Sequence, residues 1–447
     1  MSSNNQSKIE NEASEVKGNK IKASNRIEKS SRRISSENDV SEKNEILPDK
    51  GYAWVIMIAS FFNIVLAFGS FNAFGVFQTY YLKSIFINET AEKVAWISTM
   101  SIGCTLAGGL LADPLIRMYG IKYTSLIGTM IATVGLLLAS FSTQIWHYVL
   151  TQGVIFGTGS SIVVNISLSV PALWFERHRG LAIGVVASGG GFGALFLIPT
   201  ITQVIKHVGI SWAFRVLCAV YFVVTLVCGL LLKPRKTFIV QKKSFDKETV
   251  FRPTSLLLLL SGFLMEAGYN VPLLYFPSSL VDLGKSKEFA TNMIMGFCFI
   301  SAVSRLAFGY WSKKIGAFNI TIVSHLITGI ATLSMWFSSK SVTVYLAYYF
   351  LISIFCASYL SLGPIIIANY YPQEKVSVMN GVTYLIMGLS VLIFSPTTGA
   401  VFSKIGHRTD YSQIILIGAI FYLFSAITFI IARHYIKREH NVKTQIL

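Results

Sequence analysis

The chain has 447 residues, of which 53% are hydrophobic and only 13% are charged, and its net charge is +17. This apolar fraction exceeds what the core of a soluble protein of that length requires, so the composition excludes an ordinary soluble domain. It predicts a protein that crosses a membrane many times.

The first 50 residues differ from the rest of the chain. They are rich in Ser, Asn, Glu and Lys, almost without aromatic residues, and carry ten Lys or Arg against nine Asp or Glu. Such a segment buries too little apolar area to offset the entropy lost on ordering, and it lacks the apolar core of a secretory signal. Residues 1–50 are therefore predicted to be a disordered cytoplasmic tail.

Twelve apolar runs of about 20 residues follow, each long enough to cross a hydrocarbon core of about 30 Å as a helix. A basic segment at 233–252 divides them six and six, as in transporters built from two bundles. The sequence predicts an all-α membrane protein with six-helix bundles at 51–232 and 253–436 and a cytoplasmic tail at 437–447. The runs start near Trp54, Val94, Thr124, His147, Gly180, Ser211, Thr254, Phe289, Phe318, Val342, Val378 and Ser412.

Two sequence patterns recur at the same place in both halves. A glycine and charged residues after run two, ending at Gly120, are echoed after run eight by a stretch ending at Gly316. The aromatic pair Trp174-Phe175 before run five is echoed by Tyr370-Tyr371 before run eleven. These echoes favour an internal repeat of six helices.

The basic residues predict the topology. If the N-terminal tail is cytoplasmic, the loops on its side hold about twice as many Lys and Arg as the opposite loops, which is the positive-inside bias. Both termini are then cytoplasmic, and the positive charge reflects topology and contact with lipid rather than a nucleic-acid partner. The sequon Asn88-Glu89-Thr90 falls in the first outer loop, where Asn88 is a candidate glycosylation site.

The sequence contains no pattern typical of a metal site, a cofactor site or an enzyme active site. The five cysteines and seven histidines fit no disulfide framework or metal-ligand spacing. No paired carboxylates or activated nucleophile occur within the runs. We expect no metal, no cofactor and no enzymatic activity.

Two groups of residues are candidates for conformational gating. Asp113 and Arg117 lie where run two ends, where charged contacts to helix termini can form in one conformation and break in another. Gly184 and Gly191 place small groups on one face of run five, so that two helices can approach closely there. The alternative for Asp113 and Arg117 is an ordinary solvated loop. The alternative for Gly184 and Gly191 is tight helix packing without motion.

The stretch from Gly109 through Asp113 to Gly120 resembles the signature of the major facilitator superfamily, although Pro114 stands at a usual basic position. The entry Asp49-Lys-Gly-Tyr-Ala-Trp54, the segment from Trp174 to Gly184, and Ser188-Gly-Gly-Gly191 resemble the monocarboxylate-porter family. The long tail and short linker are similar to its fungal branch. The resemblance implies a twelve-helix carrier.

Proton-coupled porters of this family use a lysine in the first helix and an Asp/Arg pair in the eighth. Arg305 matches the arginine, whereas Asn72 and Ser301 stand where the lysine and the aspartate belong. The resemblance therefore implies a carrier that keeps the binding arginine without the usual proton-coupling groups. Ser301, four residues before Arg305, can hydrogen-bond the guanidinium but cannot carry the proton.

The charged residues within the apolar runs also indicate Arg305 as a functional residue, and they add Glu266. Arg305 is the only Lys or Arg deep in any apolar run, where a charge costs at least about 2.5–3.5 kcal/mol, so we expect it to form the floor of a binding site. Glu266 in run seven could neutralise Arg305, act as a proton site, or be a neutral buried acid. Further polar residues predicted to line a central cavity suited to a planar organic solute are Asn72, Asn165, Tyr269 and Asn270.

The leading functional prediction is an uncoupled carrier of a small organic solute. The resemblance implies a riboflavin-like compound as one candidate substrate, and an organic anion is the other. A proton-coupled monocarboxylate symporter that uses Glu266 is the alternative. A nutrient sensor without flux is the third possibility, although the short linker and the short C-terminal tail disfavour it. We expect a monomer in the plasma membrane, with the vacuolar membrane as the alternative.

Overall fold

A computed structural model describes residues 48–235, 247–407 and 409–439 of the chain. The described part is helical and contains no β-strand. Most of the predicted N-terminal tail, the middle of the predicted linker and the end of the predicted C-terminal tail lie outside the described residues.

Eleven helical stretches among the described residues are long and apolar enough to span a membrane. One of them, Lys93–Ala139, has 47 residues. At 1.5 Å per residue it would measure about 70 Å, more than twice the hydrocarbon thickness. It is broken at Gly120, whose φ of 79° and ψ of 168° are incompatible with a continuous helix. The described residues therefore contain twelve crossings.

The twelve helices begin within five residues of the predicted starts. The largest difference is at the eleventh helix, which begins at Gln373 because the polar residues after Pro372 form its first turn. The helices are α1 Tyr52–Tyr80, α2 91–119, α3 121–139, α4 Ile145–Trp174, α5 Arg179–Val208, α6 Ile210–Leu231, α7 Pro253–Asp282, α8 Lys287–Ile315, α9 Ala317–Phe337, α10 Val342–Tyr370, α11 Gln373–Lys404 and α12 Ser412–Glu439.

The helices form two six-helix bundles, α1–α6 and α7–α12, with matching internal packing. α1 packs on α5 and α3 on α6 in the first half, as α7 packs on α11 and α9 on α12 in the second. Between the halves, α5 packs on α8 and α2 on α11. These two interfaces, here called seams, correspond to each other in the internal repeat of six helices, because α5 matches α11 and α2 matches α8.

The echoed sequence patterns adopt matching backbone conformations. Gly120 between α2 and α3 and Gly316 between α8 and α9 both have positive φ, 79° and 92°. Glycine adopts this region without the steric penalty of a Cβ, which explains its place in both turns. The residues that end α4 and α10, Phe175 and Tyr371, are both extended, with φ of −109° and −111°.

Candidate functional site

A cavity lies between the two halves of the described structure. Its lining comes from α1, α2 and α5 on one side and from α7, α8 and α10 on the other. Five of the seven residues predicted to bind substrate line it, namely Arg305, Glu266, Asn72, Tyr269 and Asn270. The helix arrangement thus brings together residues up to 233 positions apart in the sequence.

Arg305 reaches from α8 to the backbone of α5. Its side chain is buried, and Nη1 donates a hydrogen bond to the carbonyl of Ala187 at 3.1 Å. Gly190 of α5 lies beside the guanidinium, since a Cβ there would lie 3.6 Å from Nη1, in ordinary contact, and 2.9 Å from Phe68 Cβ. Nε has no hydrogen-bond partner among the described residues. The guanidinium is therefore anchored through Nη1, while Nε is buried without a partner in this part of the structure.

Glu266 lines the same cavity without pairing with Arg305. The residue is only 3% exposed, its Oε2 has no hydrogen-bond partner in the described part of the chain, and the two charged groups form no ion pair within 4.0 Å. Asn270 donates to the main-chain carbonyl of Glu266 at 2.8 Å, not to its carboxyl group. The two side chains face one space from neighbouring helices.

The first half contributes most of the apolar wall and two polar groups. Phe68 and Phe71 of α1 line the cavity, and the Nδ2 of Asn72 donates to the carbonyl of Gly190 at 3.2 Å. Thr105 of α2 also lines it, with a buried hydroxyl that has no partner among the described residues. Nothing in the sequence distinguished Thr105, because a threonine in an apolar run is ordinary.

Ser301 does not make the hydrogen bond to Arg305 that its spacing suggested. Its hydroxyl is buried without a partner in the described structure, and Ser304 donates to its carbonyl at 2.9 Å. Positions four apart share a helix face, but the long arginine side chain extends across to Ala187 and away from Ser301. Ser301 is not among the residues that line the cavity.

Asn165 lies in a contact between the halves and not in the cavity. Its Nδ2 donates to the carbonyl of Ser377 at 3.4 Å, and the Ser377 hydroxyl donates to its Oδ1 at 3.2 Å. One turn away, Asn380 donates to the hydroxyl of Ser169 at 3.2 Å. Gly381 permits this approach, since a Cβ there would lie 3.1 Å from Asn165 Nδ2. These four side chains, the α4–α11 polar contact, join the two halves.

The seam between α5 and α8 is made of backbone surfaces. A Cβ on Gly184 would lie 2.8 Å from the carbonyl oxygen of Arg305, and one on Gly191 would lie 2.3 Å from that of Cys298. A Cβ on Gly309 would in turn lie 2.7 Å from Gly184 Cα. The two predicted gating glycines therefore stand where α5 and α8 touch.

Further contacts join the halves at the end of the molecule where α1 begins, here called the N-terminal face. Arg179 at the start of α5 donates to the carbonyl of Ala368 in α10 at 2.9 Å, and Lys313 of α8 donates to the carbonyl of Arg177 at 3.5 Å. The other two predicted gating residues, Asp113 and Arg117, pair within α2 at 2.7 Å. The halves are thus closed against each other on this face.

The two stretches that carry the monocarboxylate-porter resemblance meet in space. The carboxylate of Asp49 accepts hydrogen bonds from the backbone N–H groups of Glu176, Arg177 and His178 at 2.8–3.1 Å, which holds the turn between α4 and α5. The ring of Trp54 packs edge-on against Phe175 at 5.3 Å. Partial burial raises the pKa of Asp49, but these hydrogen bonds lower it by more, so its pKa lies below the ordinary value.

The predicted glycosylation site is accessible. Asn88 is exposed in the turn before α2, and Thr90 of the same sequon caps that helix by accepting from Lys93 N at 3.4 Å. This turn lies on the face opposite to the N-terminal face, because α1 separates them.

Comparison with known proteins places the chain in a transporter family. The family model described as Major Facilitator Superfamily matches residues 59–344 and 258–446. The chain is similar to the MFS transporter asaE of Aspergillus flavus, with 27% identity over 85% of this chain and 88% of that protein. It is also similar to the riboflavin transporter MCH5 of Saccharomyces cerevisiae, with 25% identity over 89% of this chain and 81% of that one.

A solved structure supports the same fold. The transporter FucP in the outward conformation matches with a TM-score of 0.67 and 15% identity, over 85% of this chain and 98% of that chain. At this identity the likeness establishes the fold alone.

Proposed function

The chain belongs to the major facilitator superfamily and is a membrane transporter of small solutes, and from this premise we propose that it moves a planar organic solute by uncoupled alternating access. The cavity between the halves is the proposed binding site. The observation that carries this proposal is that Arg305 lines the cavity, with Nη1 anchored on α5 and Nε without a hydrogen-bond partner among the described residues.

The lining of the cavity supports a planar solute that carries polar or anionic groups. Phe68, Phe71 and Tyr269 offer aromatic surface, which suits a ring better than a bare short carboxylate. Arg305 is suited to an anionic or strongly polar acceptor. A riboflavin-like compound or an organic anion fits this lining, and one of the similar proteins is a riboflavin transporter.

Uncoupled transport is proposed because two groups that would carry a proton are replaced. The amide of Asn72 donates to the carbonyl of Gly190, and the Ser301 hydroxyl makes no hydrogen bond to Arg305. Neither side chain titrates in the physiological range. Glu266 supports the second candidate, a proton-coupled symporter, because its buried carboxyl group faces the same cavity and has an oxygen without a partner in the described structure.

The contacts between the halves support alternating access. The α4–α11 polar contact and the bonds of Arg179 and Lys313 close the molecule at the N-terminal face. We propose that this face is cytoplasmic, in which case the described conformation is closed toward the cytoplasm. Release of solute into the cell then requires these hydrogen bonds to break while Gly184 and Gly191 let α5 and α8 move against each other.

We further propose that the protein acts as a monomer in the plasma membrane with both termini in the cytoplasm. The position of Asn88 supports this topology, since its turn then lies outside the cell. Residues 51–232 and 253–436 are the proposed domains, and they agree with the packing of α1–α6 and α7–α12.

The test is uptake in cells that lack their own carrier, with labelled riboflavin and labelled lactate measured with and without a proton uncoupler. We expect riboflavin uptake that the uncoupler leaves intact and that Arg305→Gln abolishes. Arg305→Lys should retain a small fraction, because a lysine keeps the charge but not the planar donor fork. Normal surface expression of both variants is the control for folding.

Two outcomes would change the proposal. Uptake that collapses with uncoupler, rises as external pH falls and is lost in Glu266→Gln would establish the proton-coupled alternative. Ligand binding by the purified protein without flux in any direction would instead indicate a sensor.

A further inference from the structure

Three buried polar atoms without hydrogen-bond partners among the described residues belong to side chains that line the cavity. They are Oγ1 of Thr105 on α2, Oε2 of Glu266 on α7 and Nε of Arg305 on α8. A buried polar atom that lacks a partner is unfavourable, and such atoms in folded proteins normally contact water or a ligand. These three come from both halves of the molecule.

The three atoms differ in hydrogen-bonding character. Arg305 Nε is a donor only, an ionised Glu266 is an acceptor only, and the Thr105 hydroxyl can donate or accept. With Glu266 ionised, a ligand that satisfies all of them must offer at least one acceptor and one N–H or O–H donor. Beside an ionised Glu266, a bare carboxylate, which offers acceptors only, would leave that carboxyl group unpaired and bring two negative groups together.

Extending the proposed function, on which this step rests, we propose that Thr105, Glu266 and Arg305 recognise an imide or lactam edge of a heteroaromatic ring. Arg305 donates to a ring carbonyl, Glu266 accepts from the ring N–H, and Thr105 donates to a second carbonyl where one is present. The ring face lies against Phe68 and Phe71, on the apolar side of the cavity. Thr105 becomes a substrate-contacting residue on the first half.

This arrangement also explains why Glu266 and Arg305 do not neutralise each other directly. No ion pair within 4.0 Å joins them, although both face one space. Each keeps hydrogen-bonding capacity for a ligand that carries complementary groups. Because Thr105 lies on one half and the charged pair on the other, a bound ligand connects the two halves.

The experiment measures equilibrium binding to the purified full chain in detergent. The probes are riboflavin and lumichrome, which carry the imide edge, their N3-methyl analogues, which lack its N–H, and benzoate, which carries a carboxylate. We expect each imide probe to bind at least about tenfold more tightly than its N3-methyl analogue and than benzoate. Glu266→Leu should remove the preference for the N–H, because leucine has no acceptor.

Thr105→Val tests the new residue without changing its shape. It should weaken imide binding by about fivefold or more, since one hydrogen bond is lost. The matched control is Thr129→Val, which removes another buried hydroxyl without a partner among the described residues, on α3 and outside the cavity lining. This control should leave binding unchanged.

Several results would overturn the inference. They are equal binding of the imide probes and their N3-methyl analogues, tighter binding of benzoate, absence of binding by every imide probe, or equal effects of Thr105→Val and Thr129→Val. If benzoate is bound and transported in an Arg305-dependent way, the proposed function survives while this inference fails. If no probe is bound and no flux occurs, both fail.

Discussion

The glycines of α5 allow a quantitative test of the seam between the halves. An alanine at Gly191 would place its Cβ 2.3 Å from the carbonyl oxygen of Cys298, and one at Gly184 would place it 2.8 Å from that of Arg305. Ordinary contact begins near 3.4 Å, so the shortfalls are 1.1 Å and 0.6 Å. The obstructing atoms belong to the α8 backbone, which cannot rotate away.

Such overpacking costs about 1–3 kcal/mol, and the penalty falls on the conformation in which α5 and α8 touch. An energy of that size shifts a two-state equilibrium by about 5- to 150-fold. We expect Gly191→Ala to have the larger effect and Gly184→Ala the smaller. Gly296→Ala in α8 is the matched control, because a Cβ there meets nothing within 4 Å.

Amide hydrogen exchange in the part of α8 near Gly309, together with initial rates of transport, measures the shift. Exchange should be faster than in the wild type for Gly184→Ala, faster still for Gly191→Ala, and unchanged for Gly296→Ala. The reasoning is refuted if all three variants behave alike, or if the control perturbs the seam as much as Gly191→Ala does.

Three further predictions concern other contacts. Asn165→Ala should weaken the α4–α11 polar contact and make the N-terminal face more accessible to a membrane-impermeant label, without loss of substrate affinity. Reduced affinity with unchanged labelling would indicate instead that Asn165 belongs to the binding site. Asp49→Ala should lower the free energy of unfolding by about 0.5–1.5 kcal/mol, because it removes the acceptor of three backbone N–H groups in the turn before α5. Because the folded-state pKa of Asp49 is depressed, this difference should persist at pH 5 and close only as the pH falls through that lowered pKa. A difference that vanishes at pH 6 would contradict this. Asn88→Gln should abolish the glycan-dependent mobility shift of the protein on a gel. A wild-type protein without such a shift would show that Asn88 is not glycosylated.

The close spacing of the seam also shows why consecutive glycines occur in α5. Gly189 faces α1, where a Cβ would lie 2.8 Å from the carbonyl oxygen of Phe61. Gly190 faces Phe68 of α1 beside the cavity, where a Cβ would lie 2.9 Å from Phe68 Cβ, and Gly191 faces α8. Because successive residues of a helix point about 100° apart, the three adjacent glycines allow close packing against two different helices, α1 and α8.

The sequence by itself determined the membrane class, the twelve crossings, the family resemblance, and Arg305 and Glu266 as buried charges. These properties depend on the length and composition of local segments, which the membrane constrains strongly. Even the turn at Gly120 could be anticipated from its echo at Gly316.

Only the tertiary structure decided which polar residues meet. Asn165 bonds with α11 instead of facing the cavity, Ser301 makes no bond to Arg305, and Thr105 joins the lining. Arg305 is anchored on α5 and forms no ion pair with Glu266. These outcomes depend on the rotation and register of helices whose apolar faces all look alike in sequence, because burial against lipid and burial against protein select the same residues.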